Sequence, residues 1–187
     1  VEQFIVHRKR RGFSQSHVAS LTGISTSAIS ACENGRREPG TATLEKLAGA
    51  VGLRVLLMDV GQASPVAEHA SVLATALRAG DVDLAFATLH TVSVELQYAS
   101  PSEMVVLSYQ QPAAIDPQWD AAIAGVVEWR LQQAAAPIPM WVTECRRDPA
   151  DTWAPSMAVQ FEDAQTSDVQ SLADRGILIH SVDLEFD

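Results

Sequence analysis

The stretch from Phe13 to Gly35, FSQSHVASLTGISTSAISACENG, constrains this chain more than any other. It reads as two short helices joined by a tight turn. Ser14 is positioned to cap the first helix, whose apolar rhythm runs through Val18, Ala19 and Leu21. Gly23 breaks that helix and Ser25 restarts the second, whose apolar side is Ala28, Ile29 and Cys32. Asn34-Gly35 ends it. Opposite that apolar side lie Thr26, Ser27 and Ser30, a set of short hydroxyl side chains.

Two helices with this turn are the sequence form of a helix-turn-helix. Readout of bases in the major groove needs short polar side chains on one helix and donors that clamp phosphates on either side. Thr26, Ser27 and Ser30 can touch base edges and thymine methyls. Gln15 can reach a phosphate or an adenine edge, and Asn34, Arg36 and Arg37 can hold the backbone. The amides at Ser14-Gln15 and Ser25-Thr26 open helices and add phosphate donors. Arg8 is placed equally well for an ion pair with Glu33 or for DNA.

Around this stretch, residues 1–11 read as a first helix ending at Gly12. A further helix is capped by Thr41 or Thr43, carries Leu44, Leu47, Ala48 and Val51, and ends at Gly52. Arg54 to Met58 reads as a short strand or the tail of this bundle, which makes residues 1–60 one domain. Gly61 to Pro65 reads as a linker, and residues 66–187 as a second, mostly helical domain. There, helices are expected over 66–79, over 82–98 behind the cap Asp81 with Leu84, Ala85, Leu89, Val92 and Leu96 buried, and from Asp116-Pro117 to about Ala135. MVVLSY is open between strand and short helix. GILIHSVDLEF suggests a terminal strand, or a short strand followed by a helical turn capped by Ser181. The fold class is therefore mainly α, with a few short strands.

Charge divides with the domains. The chain is −10 overall, but residues 1–55 hold eight basic and four acidic side chains, net +4. The remaining five basic and nineteen acidic side chains leave −14 on the rest. A basic head on an acidic body points to a polyanion for the head and a different partner for the body. The body carries no HExxH, no glycine-rich phosphate loop and no Ser/His/Asp spacing; no catalytic residue, metal ligand or cofactor is expected, and the chain is not expected to be an enzyme. Glu128 reads as a solvated neighbour of Trp129, and the tryptophans as core. Cys32 and Cys145 show neither disulfide nor metal spacing, and no apolar run suits a membrane span or a signal peptide, so a cytoplasmic, nucleoid-associated protein is expected.

Residues 4–58 resemble the Cro/C1-type, or Xre-family, helix-turn-helix domain. Arg8, Gly12, Ser14-Gln15, Ala19, Gly23-Ile24-Ser25, Ile29-Ser30, Glu33-Asn34-Gly35, Arg36-Arg37, Pro39, Leu44, Leu47 and Leu53 carry the resemblance. It implies a five-helix bundle binding operator DNA as a dimer, with contacts on Gln15, Thr26, Ser27, Ser30 and Asn34. The short Thr26 and Ser27 depart from the long or charged side chains usual there, which shifts weight to DNA shape and phosphate contacts. From Asp120 onward, DAAIAGVVEWRL, PIPMWV and DRGILIHSVDLE resemble the C-terminal part of Xre regulators encoded beside toxins, often nucleotidyltransferase-like. That implies an antitoxin whose body binds a cognate toxin. The alternative is a stand-alone regulator whose body senses a ligand or dimerises.

Overall fold

The computed structural model describes residues 1–55, 58–155 and 166–185. The chain divides into two compact units, Val1–Met58 and Asp59–Asp187. Most described residues that are in regular structure are helical, and no described helix is long and apolar enough to cross a membrane.

The first unit holds α1 (Glu2–Arg10), α2 (Gln15–Thr22), α3 (Thr26–Glu33) and α4 (Thr41–Ala50). Ser14 Oγ accepts the His17 N–H at 3.0 Å and Ser25 Oγ accepts the Ala28 N–H at 3.3 Å, so both expected caps form. Each satisfies a donor that the first helical turn leaves open. Gly23 adopts φ +72°, a left-handed conformation that a side chain resists, and so turns α2 into α3. Phe4, Val18, Ile29, Leu47 and Val51 form the core of this unit, with Phe13, Ile24 and Leu53 packed around it.

Three local expectations differ from the structure. Neither Thr41 nor Thr43 caps α4: Gly40 takes that position, without a side-chain bond, and Thr41 is already helical. Leu21 shares helical spacing with Val18 but is 56% exposed, because the short α2 buries only the stripe around Val18. Four helices, not five, are described here; Leu56 and Leu57 of the expected apolar tail lie outside the described residues.

In the second unit, α5 (Val66–Arg78) packs against α6 (Val82–Tyr98), which is followed by α7 (Pro101–Ser108) and α8 (Pro117–Gln133). MVVLSY belongs to α7; Ser100 and Glu103 close a reciprocal capping box and Pro101 fills the first helical position. Asp116 caps α8 by accepting the Gln118 and Trp119 amides. Every residue from Ala121 to Val127 is buried, since α6, α7, α9 (Met140–Glu144) and α10 (Gln170–Ala173) pack around α8. A helix apolar on all sides is a core helix. The small residue Gly125 permits the close approach of α10, and Ser171 Oγ donates to the Gly125 carbonyl at 2.7 Å.

Residues 61–65 pack on this unit: Ala63 touches its core and the Ser64 N–H donates to Glu95. Leu84, expected inside, is 48% exposed in the first turn of α6. Strand content among the described residues reduces to one isolated parallel bridge, Trp153 with Ile177. The end of the chain instead takes a short 3-10 turn, Ser181–Asp183, with His180 rather than Ser181 at its cap position; Phe186 lies outside the described residues. Trp119 is buried and meets Trp153 edge to face at 5.1 Å, as core aromatics do.

Two buried arginines tie this unit together. Arg130 donates to Ser93 Oγ, to Gln97 and Gln133 side-chain oxygens and to the Leu184 carbonyl. Arg175, fully buried, donates to the carbonyls of Cys145, Ser171 and Val142 and meets Glu128 at 2.6 Å. Glu128 is therefore not a solvated neighbour of Trp129; its side chain is 14% exposed and is half of an internal ion pair.

Candidate nucleic-acid interface

The candidate surface is built on α2 and α3. Its geometry is set by one polar cluster behind the surface. Arg8 Nε donates to Glu33 Oε1 at 2.6 Å and Arg8 Nη2 to Glu33 Oε2 at 2.8 Å, a two-pronged pair that fixes the end of α3 to α1. Arg8 Nη1 also donates to the Phe13 carbonyl at 2.8 Å, which anchors the turn into α2. Gln15 Nε2 completes the cluster with a 2.7 Å bond to Glu33 Oε2. One carboxylate thus gathers α1, α2 and α3.

Burial alone would push the Glu33 carboxyl up. Hydrogen bonds from Arg8 and Gln15, with the charges of Arg8 and Lys9, outweigh burial and hold it below the usual carboxylate range. Glu33 is therefore an anion at neutral pH, and Arg8 is committed to it. Of the two placements open to Arg8 in the sequence, the internal one is the one occupied. The role of Gln15 as a pin for Glu33 has no local signal, because a glutamine at a helix start reads the same whether its amide meets a phosphate or a buried acid.

The remaining residues of the expected site lie on the outer side. Ser14, Ser25, Thr26, Ser27, Asn34, Arg36 and Arg37 are exposed, and Ser30 is half-buried. Ser14 and Ser25 spend their hydroxyls on the His17 and Ala28 amides, and the other first-turn amides of α2 and α3 are the ones a helix start leaves open to an anion. Ser27 Oγ lies 3.1 Å from Ser25 Oγ. Asn34 Nδ2 donates to the Ser30 carbonyl at 2.8 Å and to Ser30 Oγ at 3.2 Å, so its oxygen remains open. The N–H groups of Arg36 and Arg37 both donate to the Ala31 carbonyl. That wraps the backbone of Arg36 and Arg37 back against the end of α3, with both residues exposed. Arg11, by contrast, lies over Gly52 and packs within its own unit.

The surface is a short helix with small hydroxyl side chains, flanked by two helix N-termini and two exposed arginines. That is the equipment for phosphate clamping with modest base contact. A family model described as helix-turn-helix matches residues 7–56. Together, match and geometry identify this segment as a Cro/C1-type helix-turn-helix domain and support a DNA-binding transcription regulator. No curated protein and no solved structure matches the chain.

Proposed function

We propose that this chain is a sequence-specific transcriptional repressor that binds operator DNA as a homodimer, and that it is the antitoxin of a toxin–antitoxin pair whose toxin is held by the acidic second unit. The observation that carries the second half is the distribution of basic charge. Residues 56–187 contain five arginines against nineteen acids. Arg130 and Arg175 are buried, and the Arg147 side chain is 8% exposed and paired with Asp151. Among the described residues of this unit, Arg78 and Arg146 alone offer exposed arginine charge, so little on its surface offsets its exposed acids. Such a surface suits a basic protein that acts on nucleic acid, and competes with the nucleic acid for it.

On the DNA side, replacing Arg36 and Arg37 by Ala should weaken binding to all sequences. The slope of log affinity against log salt should fall by about 0.9 for each phosphate that is no longer neutralised. Thr26→Ala and Ser27→Ala should instead change which sequence is preferred, at about 1 kcal/mol for each base edge that is no longer read. Fluorescence anisotropy on selected and scrambled duplexes reads both. If neither pair of changes alters binding, α3 is not the reading helix.

On the protein side, co-expression with the product of the neighbouring gene should give a salt-sensitive complex and relieve toxicity. Absence of both a complex and rescue removes the antitoxin role and leaves the DNA-binding role standing.

A further inference from the structure

Between the loop that follows α7 and the helices α8 and α9 lies a cavity of about 200 Å³. Its apolar walls are Pro112, Ala114 and Ile123. Trp141 adds an indole whose only donor is already used, since Nε1–H donates to the Ser108 carbonyl at 2.9 Å. What that ring still offers a ligand is its π face, which attracts cations. The charged residues of the lining are Asp120, half-buried in the first turn of α8, and Glu144, exposed at the end of α9. Among the described residues, no Lys, Arg or His lines the cavity.

Asp120 is held by backbone donors alone and has no cationic partner among the described residues. Both its oxygens lie near the Ile115 N–H, at 3.0 and 3.3 Å, and a backbone hydrogen bond from Asp116 also favours its charged form. Burial pushes Asp120 above its usual range despite the backbone hydrogen bonds from Ile115 and Asp116, with a smaller push from the Asp116 charge. The Cys145 thiol on the same wall is also pushed up, first by burial. The nearest buried cation, Arg175, is neutralised by Glu128 and spends its donors on three carbonyls. A cation entering the cavity would therefore meet two carboxylates and an aromatic ring with no competing positive charge.

The kind of cation follows from the lining. Among the described residues, no three His, Cys, Asp or Glu side chains are close enough together to hold a metal ion. The apolar walls would also waste the affinity of a hydrated ion. They suit a small organic ammonium, with its charge between Asp120 and Glu144 and its alkyl part against Ile123, Pro112 and the Trp141 ring. We propose that the second unit carries a binding site for a small alkylammonium ligand in this cavity.

The test uses the full chain titrated with n-propylammonium chloride, with sodium chloride at matched ionic strength and 1-propanol as the uncharged counterpart. Calorimetry and the Trp141 indole N–H resonance are the readouts. Saturable one-to-one binding at about millimolar strength is expected, within reach of a ligand of about four heavy atoms. Asp120→Asn keeps an acceptor for the Ile115 N–H and should weaken binding about tenfold, the effect of losing a charged partner. Glu144→Lys changes an exposed position and should abolish binding with the fold intact. The proposal is overturned if 1-propanol binds as tightly as the cation, if no saturation appears, or if both variants bind as the unaltered chain does.

Discussion

Replacing Arg175 with Met is expected to destabilise the second unit by about 3–5 kcal/mol, one of the two largest effects available in this chain. The argument rests on what the guanidinium holds. Its Nε donates to the Cys145 carbonyl at 3.0 Å, Nη1 to the Ser171 carbonyl at 2.7 Å and Nη2 to the Val142 carbonyl at 2.8 Å. Those acceptors lie at the end of α9, in α10 and in α9, so one side chain fastens two short helices that would not persist alone. Nη2 also meets Glu128 Oε2 on α8 at 2.6 Å, with no well-aligned hydrogen bond to that oxygen, so the attraction there is chiefly coulombic. Methionine fills most of the same volume. It therefore removes the charge and the donors while opening little void, and the loss measured is polar rather than a cavity term.

The same reasoning predicts a partial rescue. With Arg175 gone, Glu128 is an uncompensated charge in a site that leaves it 14% exposed. Glu128→Gln in the Arg175→Met background should recover about 1–2 kcal/mol, whereas Glu128→Gln in the unaltered chain should be destabilising. All four tryptophans, 119, 129, 141 and 153, belong to the second unit, so the urea transition followed by tryptophan fluorescence reports that unit alone. A loss below about 1 kcal/mol for Arg175→Met would mean that the pair and its carbonyl bonds are not what holds α9 and α10 in place.

What can be read from the sequence, and what cannot, divides by range of interaction. The caps Ser14, Ser25, Asp81 and Asp116 are legible because a cap is decided by three or four consecutive residues. Gly23 is legible because a left-handed turn has a strong residue preference. Leu21 and Leu84 read as buried because helical spacing gives the direction of a side chain but not whether another helix lies there. The polar core is only half legible for the same reason: the Arg8–Glu33 pair stands in the sequence as one of two placements open to Arg8. Arg8 and Glu33 are 25 positions apart, and nothing in ENGRR or HRKRR distinguishes an arginine that seeks a phosphate from one that seeks a buried acid. Glu128 and Arg175 are further still from any local signal. Of the expected DNA-contacting residues, the exposed Thr26, Ser27, Arg36 and Arg37 follow from the two-helix pattern. The use of Gln15 as an internal donor depends on where α1 places Arg8.

That internal cluster supports the second large prediction, which concerns the first unit. Arg8→Met is expected to cost about 3 kcal/mol or more, because Glu33 loses both prongs of its pair while its side chain is only 8% exposed. It also reverses the response of this unit to acid. In the unaltered chain the Glu33 carboxyl lies below its ordinary value, held there against burial by Arg8 and Gln15 and by the charges of Arg8 and Lys9. A depressed folded-state pKa gives stability that is fully present above the unfolded carboxyl value, about 4.3, and is lost as pH falls through the folded one. With Arg8 removed, burial becomes the dominant influence and the carboxyl rises above its unfolded value. Its contribution is then present below that value and lost as pH rises through the raised one. Amide hydrogen exchange in α2 and α3, corrected for the intrinsic effect of pH, should therefore show protection falling on acidification below about pH 4.3 in the unaltered chain. In Arg8→Met, protection should instead rise on acidification above about pH 4.3, as pH falls through the raised value, and gain nothing further from Glu33 below it. DNA affinity at neutral pH should fall with the same substitution, since Arg8 reaches both Phe13, ahead of α2, and Glu33, at the end of α3. Acid responses of the same sign in both proteins would show that Arg8 does not set the ionisation of Glu33. A neutral-pH affinity unchanged by Arg8→Met would show that the α2–α3 surface keeps its geometry without the pair.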